Sequence, residues 1–163
     1  DLNWKIAGIA DFNGDGKPDI VWRNTSTGDS TVWYMNGSTF ISGASLPGLG
    51  DLNWKIAGIA DFNGDGKPDI VWRNNSTGYN AVWYMNGSTF ISGTSLPGLG
   101  DLNWKLVGIA DFNGDGKPDI VWRNTSTGYN AVWYMNGSSF ISGTSLPGLG
   151  DLNWTMGGDT SVN

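Results

Sequence analysis

The segment Asp11–Asp19, reading Asp-Phe-Asn-Gly-Asp-Gly-Lys-Pro-Asp, concentrates the oxygen chemistry of the chain. Side-chain oxygens stand at its first, third, fifth and ninth positions, on Asp11, Asn13, Asp15 and Asp19. Such alternation can turn those side chains inward around one hard cation while the intervening residues point away. Gly16, at the sixth position, permits a sharp bend, and the Lys17 carbonyl supplies a seventh-position ligand. An all-oxygen set of this kind is suited to Ca²⁺. The pattern returns as Asp61, Asn63, Asp65, Lys67 and Asp69, and again as Asp111, Asn113, Asp115, Lys117 and Asp119. The expectation is about three calcium ions per chain, whose charge would offset the formal net charge of −6. The twelfth position holds Trp22 rather than the glutamate of a helix-loop-helix calcium site, and strands flank the loop. Asn-Gly and Asp-Gly also form hairpin turns without metal. That reading explains the glycines but not the crowding of three carboxylates in each loop.

The rest of the composition narrows the chemistry by exclusion. The chain has 163 residues, with no Cys and no His, so thiolate sites, disulfides and the usual neutral-pH base are absent. Its acidic residues are all Asp, and fifteen of them oppose nine Lys and Arg, a balance that disfavours nucleic acid. No apolar run approaches the length of a membrane span. Lys5, Lys17 and Arg23 recur as ordinary strand or loop residues, and no tuned acid or base stands out, so no enzyme is expected.

The loops must be held by repeated elements. Residues 1–50 recur as 51–100 and 101–150 without insertion, and 151–163 begins a further copy that lacks the loop, as a partial repeat or capping tail. Within a copy, Trp4 to Phe12 reads as a small apolar strand. Asp19 to Arg23 and Thr31 to Met35 follow as strands rich in Val, Ile, Trp and Tyr. Asn36-Gly37 signals a hairpin into a short outer strand, Thr39 to Ser42. No helical apolar period survives between the Gly and Pro residues. Four short strands per copy predict an all-β fold of three blades in a β-propeller, with a linear stack of hairpins as the alternative.

The segment from Ile6 through Asp11–Asp19 to Arg23 resembles the FG-GAP/VCBS repeat family, which includes integrin-like propellers and certain lectins. The resemblance covers all three copies. It implies calcium bridging the first hairpin of each blade, held by Asp11, Asn13, Asp15 and Asp19 with the Lys17 carbonyl, and by their counterparts. It also makes an extracellular or cell-surface location plausible. Propellers usually need four or more blades, so three are either a fragment of a ring or part of one completed by oligomerisation, a homodimer being favoured.

A lectin-like function, binding carbohydrate at blade or inter-blade surfaces, is the leading expectation. Each copy offers Trp and Tyr platforms beside polar groups, although most of these aromatics suit packing. The copies differ where Asp29-Ser30-Thr31 becomes Tyr79-Asn80-Ala81 and Tyr129-Asn130-Ala131. Tyr79, Asn80, Tyr129 and Asn130 are therefore the candidate ligand residues. A protein-interaction or adhesion scaffold is the alternative, as is a structural or designed repeat with no ligand beyond calcium. Asn24-Thr25-Ser26 and Asn36-Gly37-Ser38 match N-glycosylation acceptors.

Overall fold

Alternation along the second strand of each copy creates two apolar faces. In Asp19-Ile20-Val21-Trp22-Arg23, Val21 points to one side while Ile20 and Trp22 point to the other. A sheet built on such strands needs a neighbour on each face. A computed structural model describes residues 1–155. The part of the tail from residue 156 onward, to which the capping expectation extends, lies outside the described residues.

The described residues form three four-stranded antiparallel sheets, each following chain order from first strand to last. The first contains β1 (Trp4–Ala10), β2 (Asp19–Asn24), β3 (Ser30–Asn36) and β4 (Thr39–Leu46). The second contains β5 (Trp54–Ala60), β6 (Asp69–Asn74), β7 (Asn80–Asn86) and β8 (Thr89–Leu96). The third contains β9 (Trp104–Ala110), β10 (Asp119–Asn124), β11 (Asn130–Asn136) and β12 (Ser139–Leu146). The all-β expectation and the repeated four-stranded unit therefore hold.

Two strand boundaries differ from the sequence reading by more than one residue. β1 stops at Ala10 rather than Phe12, because the Phe12 N–H donates to the Asp19 carboxylate (2.9 Å) instead of continuing the ladder. β4 is longer than expected, pairing with β3 from Asn36↔Thr39 to Ser30↔Leu46 with an irregularity near Ile41. The break in β1 beside Ala7 is also a bulge, which the chain repeats in β5 and, at the corresponding place, in β9.

The core lies between sheets. Phe12, Val21, Val32 and Leu46 of the first sheet meet Ile56, Ile70, Trp72 and Met85 of the second. The same contact returns between Phe62, Val71, Val82 and Leu96 and the set Leu106, Ile120, Trp122 and Met135. Inside each sheet, the Trp22, Trp72 and Trp122 rings lie tilted against Trp33, Trp83 and Trp133 at centroid distances of 5.0, 4.9 and 4.9 Å. The outer strands are largely exposed.

Removing an internal tryptophan opens a cavity that surrounding strands cannot fill. Trp72→Ala should lower the unfolding free energy by about 3–5 kcal/mol, measured by urea denaturation. A loss below about 1 kcal/mol would show that the inter-sheet face repacks freely.

Candidate functional site

The Asp loops are rigid turns in which carboxylates bind backbone amides. Gly14 and Asp15 donate their N–H groups to Asp11 Oδ1 (2.7 and 3.1 Å), and Gly16 donates to Asp11 Oδ2 (2.7 Å). Asp15 N–H also meets Asn13 Oδ1 (3.0 Å), while Lys17 N–H donates to Asp15 Oδ1 (2.9 Å). Gly14 and Gly16 have φ of 76° and 80°, the left-handed conformation that this amide arrangement requires. The other loops repeat these bonds around Asp61 and Asp111.

Asp19 has a different task. Fully buried, it accepts from Phe12 N–H through Oδ2 and from Met35 N–H through Oδ1, both at 2.9 Å. It thereby ties the loop and β3 to β2. Asp69 and Asp119 make the corresponding bonds.

The expected calcium sites are corrected by this geometry. Among the described residues, no group of three or more His, Cys, Asp or Glu side chains is placed to hold a metal ion. Asp11, Asn13, Asp15 and Asp19 instead satisfy loop or neighbouring-strand amides, with Lys17 donating its own N–H into the turn. The same holds for Asp61, Asn63, Asp65, Lys67 and Asp69, and for Asp111, Asn113, Asp115, Lys117 and Asp119. Spacing that suits cation ligation also suits a cage of amide donors, because both require oxygens turned inward.

The electrostatics follow from these bonds. Burial raises the Asp11 pKa, but the amides of Gly16, Gly14, Asp15 and Asn13 outweigh it and hold it below its ordinary value. Asp111 is lowered too, chiefly through Gly116 N–H. Asp69 is raised, first by burial, against the Met85 and Phe62 amides, with repulsion from Asp65 and Asp61 adding to the rise.

The sequence reading missed the arginines. Arg23 donates to Gly28 O (2.8 Å) and Ser30 Oγ (3.2 Å) in its own repeat, then to Leu49 O and Trp54 O of the next connection, both at 3.0 Å. Its guanidinium also lies 4.9 Å from the Trp72 ring centroid of the second sheet. Arg73 repeats this bridge through Leu99 O, Trp104 O and the Trp122 ring. The recurring Trp-Arg pair was the available signal, but the ring contacted belongs to the following copy.

Residues 11–72 and 61–122 each match the FG-GAP-like repeat, and the two matches together take in more than half of the chain. The chain belongs to the FG-GAP-like repeat family. A search of curated proteins finds no match to it. Repeats of the FG-GAP-like family are structural and adhesion modules, and the protein is accordingly a non-catalytic one. No helix among the described residues is long and apolar enough to cross a membrane.

On this FG-GAP-like scaffold the Tyr-Asn pairs divide. Tyr79 and Tyr129 are each 65% exposed at the turn into the third strand of their sheets. Asn80 and Asn130 are buried. Asn80 Oδ1 accepts from Arg73 Nη1 (3.0 Å), and its Nδ2 donates to Pro97 O (2.7 Å). Asn130 does the same with Arg123 and Pro147. Neither amide is offered to a ligand, which corrects their assignment. Asn24 is buried as well, its Oδ1 accepting from Ser26 and Thr27 amides, whereas Asn36 is exposed at its hairpin. An open groove of ≈ 410 Å³ runs across β1, β5 and β9, lined by Ile, Ala, Gly and Val without a polar side chain.

Asp69→Ala should orphan the buried Phe62 and Met85 amides and cost about 1–3 kcal/mol for each, read by urea unfolding. Linkage gives the acid side its sign. The contributions of Asp11 and Asp111 are present above the ordinary value of 3.8 and are lost as pH falls through their lowered folded values. That of Asp69 is full below 3.8 and is lost as pH rises through its raised value. A double Asp11→Asn, Asp111→Asn variant should therefore show a flatter fall in urea midpoint below about pH 4 than the parent chain. Parallel curves would remove these two carboxylates from the acid response.

Proposed function

We propose that this protein is a non-catalytic binding module of β-propeller type that recognises carbohydrate through the exposed rings of Tyr79 and Tyr129. The observation that carries this reading is the equal presentation of those rings on consecutive sheets. Each tyrosine is backed by a fixed turn: Tyr79 O accepts from Asn74 N–H and Tyr129 O from Asn124 N–H, both at 2.8 Å. The turn into each ring also brings Thr77 Oγ1 or Thr127 Oγ1 to the tyrosine N–H (3.3 Å). A rigid aromatic face beside hydroxyls suits the apolar face and polar edge of a sugar ring. Two equivalent platforms on one body favour polyvalent glycans, because the second contact is intramolecular.

The first sheet carries Asp29 in place of tyrosine, so its turn lacks the platform. Further sheets complete the ring in this reading, and a homodimer supplies six. An extracellular or cell-surface placement suits such a glycan-facing module.

An adhesion surface for protein is the second reading, favoured by the outer strands. Phe40 and Ile41, Phe90 and Ile91, and Phe140 and Ile141 form exposed apolar pairs at matching positions. Repetition of one pair on three sheets would give a partner several similar contacts.

Glycan-array binding of the full chain tests the first reading against the second. Tyr79→Ala with Tyr129→Ala should weaken glycan binding about tenfold or more while leaving the circular dichroism unchanged. Retained binding in that folded variant overturns the tyrosine platform, and an array without any binder turns the reading toward protein adhesion.

A further inference from the structure

Three contacts join each sheet to the next, and each leaves one half unmatched at either end of the described array. The first is a socket. A methyl group on Gly8 would overlap Ile59 Cδ1 of the second sheet, and one on Gly58 would overlap Ile109 Cδ1 of the third. These glycines hold the isoleucines by having no side chain. Among the described residues, a methyl on Gly108 would meet only Val121, with Cβ at 3.8 Å, while Ile9 is 62% exposed. One socket and one knob are left over.

The second contact is the arginine bridge. Arg23 lies over Trp72 and Arg73 over Trp122, each 4.9 Å from the ring centroid. Among the described residues, Trp22 has no guanidinium over it and Arg123 lies over no ring. The third is a hairpin turn seated on a carbonyl. A Cβ on Gly87 would stand 3.3 Å from Phe12 O, and one on Gly137 would stand 3.3 Å from Phe62 O. At Gly37 it would meet none of the described residues within 4 Å, and Phe112 is 48% exposed where Phe12 and Phe62 are 3% exposed.

We infer that a second copy of this chain docks head to tail, its first sheet against the third sheet of its partner. Gly108 then receives the partner's Ile9, Arg123 covers the partner's Trp22, and the partner's Gly37 turn sits on the Phe112 carbonyl. The inference rests on the ring-completion reading above and gives it a register. A second copy is the occupant because the unmatched halves are the same residue types that pair twice within the chain. The two end faces are therefore complementary in residue type, with Arg123, Val121 and Val132 already buried within the single chain, and a two-fold arrangement uses both faces of both copies.

Two local features bear on the seam. Val107 replaces the alanine of the earlier copies and packs with Val121 and Val132, keeping these apolar residues covered on the third sheet. Arg123 reaches Asp151 O (3.3 Å), where Arg23 and Arg73 reach the carbonyls of Trp54 and Trp104. Trp154 is 62% exposed, and none of its atoms lies within 4 Å of a Cβ placed on Gly108.

Native mass spectrometry and sedimentation of the full chain across a concentration series test the inference. The expected species is a dimer of twice 17.4 kDa. Gly108→Ala clears the described residues of a single chain but places a methyl against the partner's Ile9, so the dimer should weaken about tenfold or more. Adding Ile9→Val removes the overlapping Cδ1 and should restore much of the association. Ile9→Asp is an independent variant that changes an exposed position and should abolish the dimer while circular dichroism stays unchanged. A parent chain that remains at 17.4 kDa throughout overturns both ring completion by a second copy and this seam. A dimer indifferent to Gly108→Ala and Ile9→Asp overturns the seam but leaves another mode of ring completion standing. An open series of larger multiples overturns closure by two copies.

Discussion

A four-stranded sheet with apolar residues on both faces has no stable place in water by itself, so burial between successive sheets governs this architecture. Val21 and Val32 occupy one face of the first sheet, while Ile70, Trp72 and Met85 approach from the second. Arg23 crosses the same boundary, meeting two carbonyls of the following connection and the Trp72 ring. Its hydrogen bonds orient a charged group beside an aromatic face, while packing excludes water from the contact. Apolar burial supplies attraction, and the guanidinium supplies register.

Asp19 performs a complementary task within each sheet. One carboxylate satisfies amides from the loop and from β3, so the first turn cannot move independently of the strands it joins. Asp11 organises the exposed part of that turn through three nearby amides. Rigid loops then project at repeated intervals from a scaffold whose outer strands remain exposed. Such a body is suited to presenting surfaces rather than enclosing a reaction, consistent with its membership of a structural and adhesion family.

The repeated positions do not become equivalent merely because their residues are equivalent. Ile56 is buried between sheets, whereas Ile6 is half exposed on the first sheet. Phe62 packs inside the array, whereas Phe112 lies at its other end. Neighbours decide these environments. A local sequence window contains the knob or the socket, but not the distance between them.

The sequence by itself determined the repeat period, the β character and the main turns. Val-, Ile- and Trp-rich runs broken by Asn-Gly, Asp-Gly and Thr-Gly have a local physical meaning: they pair as strands and reverse at glycines of positive φ. It also made the Asp loops visible but pointed to a cation where their oxygens meet backbone amides, since both uses favour the same spacing. Only the tertiary structure showed Asp19 binding Phe12 and Met35 amides, buried Asn80 beside exposed Tyr79, and Arg23 reaching Trp72 in the next repeat. Those outcomes depend on which strands approach across dozens of residues, a packing choice that local propensity cannot make.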